Sequence, residues 1–194
     1  MDWLAGKRSE AACDRILDAA ADLFAERGVE AVGMNDIAKA AGCSRATLYR
    51  YYPSRDALHT AYVHRHAHAV NRQLAHQIAG IDDPRERLLT ALTGALALVR
   101  ENPALAAWFT RTAIGAEAAE GSDVVQAMTA GFLLTVDPAD PGAAGRQARW
   151  LVRVLTSFLT VPGRDAADER AMLEEFVIPR IASTTRRPEE RPTS

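Results

Sequence analysis

The segment from Gly33 to Leu58, GMNDIAKAAGCSRATLYRYYPSRDAL, constrains this chain more than any other because it holds two short helix patterns separated by a tight turn. The first pattern sets Ile37, Ala38 and Ala41 on one face, small enough for another helix to approach closely. It stops at Gly42, a residue suited to the left-handed backbone that follows a helix end. Ser44 then stands where it caps a second helix by accepting a hydrogen bond from a backbone N–H two or three residues on. Leu48, with Tyr51 or Tyr52, supplies the buried anchors of that helix. Two such helices across so short a turn are the sequence form of a helix-turn-helix.

What remains outward on the second helix is Arg45, Ala46, Thr47, Tyr49 and Arg50, a set fitted to enter a major groove and touch base edges and phosphates. No acid occurs between Asp36 and Asp56, whereas Lys39, Arg45, Arg50 and Arg55 all fall there, so the local field is positive although the 194-residue chain carries a formal net charge of -2. The N-terminal turn of the helix is the part that enters the groove, so Arg45, Ala46 and Thr47 are expected at base edges and Tyr49, Tyr51 and Arg55 at phosphates. Ser44, Lys39 and Arg50 complete the candidate DNA surface, and Tyr52 is expected in the core.

The stretch IAKAAGCSRATLYRYYPSRDAL resembles the DNA-binding domain of the TetR family of bacterial transcriptional regulators, over residues 10–70 with the motif at 33–52. It departs in three places: Gly33 where the family often has Thr, Cys43 where Val is usual, and Arg55 where Lys is usual. The Gly33 change removes a side-chain cap and one phosphate contact. The resemblance implies an all-α protein with an N-terminal three-helix domain and then a helical ligand-binding and dimerisation domain over 71–183. It further implies a homodimer on a palindromic double-stranded operator, usually a repressor, answering to a small-molecule effector.

The residues themselves limit the other classes. A balance of 48% hydrophobic and 25% charged residues is ordinary for a globular protein. The opening MDWLAGKRSE lacks the apolar core of a signal peptide, and no later stretch reaches about 18 uncharged apolar residues, so a cytoplasmic protein without a membrane span is expected. Cys13 and Cys43 lack metal spacing and read as reduced, buried thiols. All five histidines fall between His59 and His76, yet only His64 and His68 share a face at ligand spacing, a poor metal site, so neither metal nor cofactor is expected. There is no Gly-rich phosphate loop and no nucleophile elbow, and the adjacent pairs Glu174-Glu175 and Glu189-Glu190 do not converge as acid and base, so no enzyme is expected.

The apolar spacing predicts helices throughout and no strands. Ile16, Leu17, Ala20, Leu23 and Phe24 make the stripe of a helix over 10–27, and Val63, Ala67, Val70, Leu74 and Ile78 that of a helix over 55–79. Asp83-Pro84 opens a helix to about Glu101. Further helices are expected over 103–114, 124–136 and 147–161, with loops over 115–123 and 137–145. A last helix starts at Asp165 or Asp168 and is kinked or closed by Pro179. The tail 184–194 is expected to be disordered.

Two further sites are expected. Trp108, Phe132 and Trp150, with Arg111, Thr112 and His66, are the mixture that lines a pocket for a small, largely apolar ligand. The two long C-terminal helices carry more apolar surface than one neighbour covers, which makes Leu151, Leu155, Phe158, Leu173 and Val177 the candidates for a dimer interface.

Overall fold

The computed structural model describes residues 3–109, 114–137 and 141–182, and among them the chain is helical without strands. Arg111, Thr112 and the tail 184–194 lie outside the described residues. Helix α1 spans Trp3–Arg27, α2 Met34–Ala40 and α3 Arg45–Tyr51. Helix α4, Arg55–Gln77, leads away from this group to α5, Pro84–Glu101, and the short α6, Pro103–Phe109. Then come α7 Ile114–Glu120, α8 Asp123–Val136, α9 Pro141–Thr160 and α10 Ala166–Met172, followed by a π-helical turn Leu173–Val177 and α11, Ile178–Ile181.

Capping fixes most boundaries. Ser54, Asp83, Ser122 and Asp165 each accept a backbone N–H three residues on, at 3.0, 2.7, 3.2 and 2.9 Å, which satisfies a donor that the helix start leaves orphaned. The stretch 115–123, expected as a loop, is helix α7 up to Glu120, because its Ala and Glu residues are good helix formers and outweigh its small size. Helix α9 begins at Pro141 rather than Gln147, with proline in the first turn where its missing N–H costs nothing. Pro179 was expected to kink or close the last helix, and the regular α-helix is indeed interrupted just before it. It sits in the first turn of α11, after the π turn has absorbed the mismatch in hydrogen bonding.

Two apolar clusters organise the packing. The first joins the α1 stripe, Ile16, Leu17, Ala20, Leu23 and Phe24, to Ile37, Leu48, Tyr52, Leu58 and Tyr62, and it also takes in Leu105 and Trp108 from α6. The second joins Leu88, Leu92 and Leu96 of α5 to Leu133, Leu151, Leu173, Val177 and Ile181. At its far end α4 meets α5 closely: a Cβ on Gly94 would lie 3.0 Å from Leu74 Cδ2. The stripe Val63, Ala67, Val70, Leu74 and Ile78 does not pack solidly. Its residues are half-buried and line a cavity.

Candidate nucleic-acid interface and internal cavity

The two helices of the motif meet as their sequence requires. Gly42 takes a left-handed φ of 65°, and Ser44 Oγ accepts the Thr47 backbone N–H at 3.1 Å. Gly33 offers no side chain, yet its own N–H is satisfied at 3.0 Å by the Asp36 carboxylate. Leu48 is fully buried and Tyr52 is in the core, which turns Arg45, Ala46 and Arg50 outward. Burial and a contact with Cys13 push the Tyr52 phenol well above its ordinary range, so it stays neutral.

The exposed cations are poised rather than consumed. Arg45 lies over the Tyr49 ring at 5.3 Å and Arg50 over the Tyr51 ring at 5.2 Å, so each half-buried tyrosine supports a guanidinium. Among the described residues, the ion pairs involve neither these two nor Lys39. Thr47 is half-buried, and its hydroxyl lies 2.9 Å from that of Ser44. Arg55 differs from its expected place at a phosphate: its Nη2 donates to the carbonyls of Val29 at 2.7 Å and Glu30 at 3.2 Å, fastening the α1–α2 connection to the start of α4. Only the tertiary fold shows those carbonyls, so sequence spacing had no signal for this role.

Behind the motif, residues of α4 through α9 line a half-open cavity of about 590 Å³. His66, Trp108 and Phe132 line it as expected. Trp150 does not: it is 41% exposed on the outer side of α9. Sequence analysis missed Leu92, Leu96, Met128, Leu155 and Leu159 as wall residues, because a helix stripe facing a void is the same stripe that faces a core. The one available signal was the small size of Val63, Ala67 and Val70 on so long a helix.

Aromatic packing ties the cavity to the first cluster. Trp108 is 1% exposed, stacks on Tyr62 and meets Phe24 edge-on at 5.6 Å. His66 lies 4.3 Å from Tyr62, and His59 lies 5.0 Å from Trp108. Burial, reinforced by the neighbouring Arg55 and Arg65 respectively, lowers His59 and His66 from 6.5 to about 4, so both rings are neutral.

The expected dimer candidates are redistributed. Leu151, Leu173 and Val177 are at most 4% exposed, in the second cluster, and so have no surface left for a partner. Leu155 is half-buried at the cavity, and Phe158 half-buried against the second cluster. The strongest apolar stripes turn inward, and what they leave outside is Trp150 at 41%, Val161 at 74% and Phe176 at 61% exposure.

Comparison with known proteins agrees with this geometry. The profile of bacterial regulatory proteins, tetR family, matches residues 16–62. An uncharacterized HTH-type transcriptional regulator of Mycobacterium tuberculosis, Rv1255c, is 57% identical over 180 residues, covering 92% of this chain and 89% of its own. Among solved structures, RolR in complex with resorcinol superposes with a TM-score of 0.70 at 20% identity, over 97% of this chain and 100% of its own. The Thermus thermophilus repressor FadR in complex with lauroyl-CoA gives 0.61 at 23% identity, over 94% and 98%. Among the described residues, no helix is long and apolar enough to cross a membrane.

Proposed function

Since the chain belongs to the tetR family of bacterial regulatory proteins, as a helix-turn-helix transcriptional regulator, we propose that it is a homodimeric repressor, released from a palindromic operator by a small, largely apolar molecule. Arg45, Ala46 and Thr47 meet base edges, and Lys39, Tyr49, Arg50 and Tyr51 hold phosphates, Arg55 being engaged within the chain. The two-fold axis runs beside α9 and the last helix, where a second copy would cover the exposed side chains of Trp150 and Phe176. A two-fold reader of this kind sets its half-sites about 34–36 Å apart or a multiple of that.

The observation that carries this reading is the position of Trp108, which belongs to the core beneath the motif and to the wall of the cavity at once. A molecule in the cavity therefore bears on the packing that orients α1 and α4. It shifts DNA binding only through a difference in affinity between the DNA-competent and DNA-incompetent arrangements. The test is to recover the bound palindrome from genomic fragments, then titrate apolar compounds against that complex with the wild type and Trp108→Ala. Release unchanged by the substitution places the effector elsewhere, and the absence of release by any compound removes the repressor-and-inducer reading.

A further inference from the structure

The described residues of the cavity wall are buried or half-buried with four exceptions, and the exceptions fall together. The exposed ones are Asn71 and Ala75 on α4 and Gly131 and Thr135 on α8, each pair four residues apart and therefore on one face of its helix. Helices α4 and α8 pack against each other, so the four residues frame one mouth. Its two smallest members keep it wide. A Cβ on Gly131 would meet nothing within 4 Å, whereas at the helical Gly94 and Gly115 it would lie 3.0 Å from Leu74 Cδ2 and 2.6 Å from the Trp108 carbonyl oxygen. Close packing explains those two glycines but not Gly131, which weakens its helix relative to alanine and leaves open space at the entrance.

Inward of the mouth the wall offers little to a polar group. Among the described lining residues none is charged. The hydroxyls of Thr129 and Thr156 already donate within their own helices, to Val125 at 2.8 Å and Arg153 at 3.0 Å, and His66 Nε2 is buried, its ring against Tyr62. A charged or strongly hydrated group drawn inside would lose its water without replacement, a heavy penalty that it escapes by staying at the mouth. The shape favours a chain. Wall residues on α4 run from Val63 to Ile78, about 22 Å of helix at 1.5 Å per residue, so a space of about 590 Å³ is long and narrow.

Resting on the effector reading above, we propose that the cavity takes a single-chain amphiphile tail first, through the mouth between α4 and α8, and leaves its polar end in water beside Asn71 and Thr135. The tail lies along Val70, Leu92, Phe132 and Leu155, and Ala75 and Gly131 set the width of the entrance.

The experiment uses the full chain and three probes below their micelle concentrations: decanoate, decyl maltoside and decanedioate. Calorimetry should give decanoate and decyl maltoside affinities within about fivefold of each other, because neither head enters, and a decanedioate affinity at least about a hundredfold weaker, because its second carboxylate must. Gly131→Phe and Ala75→Phe should each slow decyl maltoside association by about tenfold or more in stopped-flow tryptophan fluorescence. The two substitutions stand on different helices, and circular dichroism checks each fold, so a defect in one variant leaves the other decisive. Decanedioate binding as tightly as decanoate, decanoate binding while decyl maltoside does not, association unchanged in both folded variants, or no binding by any probe would each overturn the proposal. Operator release is read separately by fluorescence anisotropy. The expected binding pattern without release supports the ligand class and the mouth and sinks the inducer role instead.

Discussion

Trp108 and Tyr62 lie face to face, their ring centroids 5.1 Å apart and their planes within 7° of parallel. One indole thus closes the cavity on one side and completes the core of the DNA-reading helices on the other. Trp108→Ala should lower the free energy of unfolding by about 3–5 kcal/mol, the usual cost of deleting a buried aromatic, as measured by urea denaturation followed by circular dichroism. A loss below about 1 kcal/mol would mean that the stack contributes little to the fold.

Arg45 and Arg50 are both exposed and both supported by tyrosines, but they should act differently on DNA. Arg45→Ala is expected to cost about 1–3 kcal/mol at one base pair and to relax the preference there, whereas Arg50→Ala should weaken all sequences alike and reduce the salt slope by about one. Anisotropy titrations on single-base operator variants at several salt concentrations separate the two. Uniform weakening by Arg45→Ala would reassign that residue to a phosphate.

Trp150→Glu and Phe176→Glu each place charge at an exposed apolar side chain and should yield folded monomers in sedimentation velocity, with operator affinity reduced. Leu173→Glu puts a carboxylate into a fully buried position and should instead unfold the chain. A Trp150→Glu protein that sediments as the wild type does would move the interface elsewhere.

His59 and His66 have folded pKa values of about 4, below the 6.5 of an unperturbed histidine, with burial as the main cause. A depressed histidine adds stability in full above the unfolded value, and that stability is lost as pH falls from about 6.5 towards about 4, because the unfolded chain takes up protons that the folded chain refuses. Asp56 and Asp18 oppose the shifts without reversing them. The melting temperature should therefore decline on acidification through this window, and His66→Phe should make the decline shallower. An unchanged slope would show that His66 is already protonated in the fold.

Glu169 is buried and accepts from Arg100 Nη1 at 2.7 Å, Arg100 Nη2 at 2.8 Å and the Gly163 N–H at 2.8 Å, which joins the start of the last helix to the end of α5. The Arg100 guanidinium is the main reason that this carboxyl is held below its ordinary range. Glu169→Ala should cost about 1.5–3 kcal/mol by leaving those donors unpaired, and Glu169→Gln less, since it retains one acceptor. Thermal unfolding of the two variants side by side provides the check, and equal losses would assign the whole effect to the lost charge rather than to shape or the remaining acceptor.

The helix-turn-helix was legible in the sequence because its signals are local: a glycine after α2, a serine cap, and apolar residues at helical spacing. The stripe of α1 was legible for the same reason. What could not be read was the destination of a stripe. Leu151, Leu173 and Val177 form stripes broad enough to serve a partner, yet the chain's own second cluster absorbs them, and the choice between self and partner is made by helices distant in sequence. Arg55 illustrates the same limit for charge, since its partners are backbone carbonyls that no side-chain pattern announces. At Pro179 the interruption was legible but not its form: a π turn upstream resets which position of the helix the proline occupies.

The close approach of Leu74 to Gly94 gives α4 one gripped end and one working end. At 1.5 Å per residue, the 19 steps from Leu74 back to Arg55 make an arm of about 29 Å, so a tilt of about 5° at the grip moves the motif end by about 2.5 Å. The cavity lies along the arm, closer to the grip than to the end that adjoins the motif. A displacement there smaller than an atomic radius is multiplied before it reaches the DNA-reading surface, and in a two-fold pair it would count twice in the distance between recognition helices.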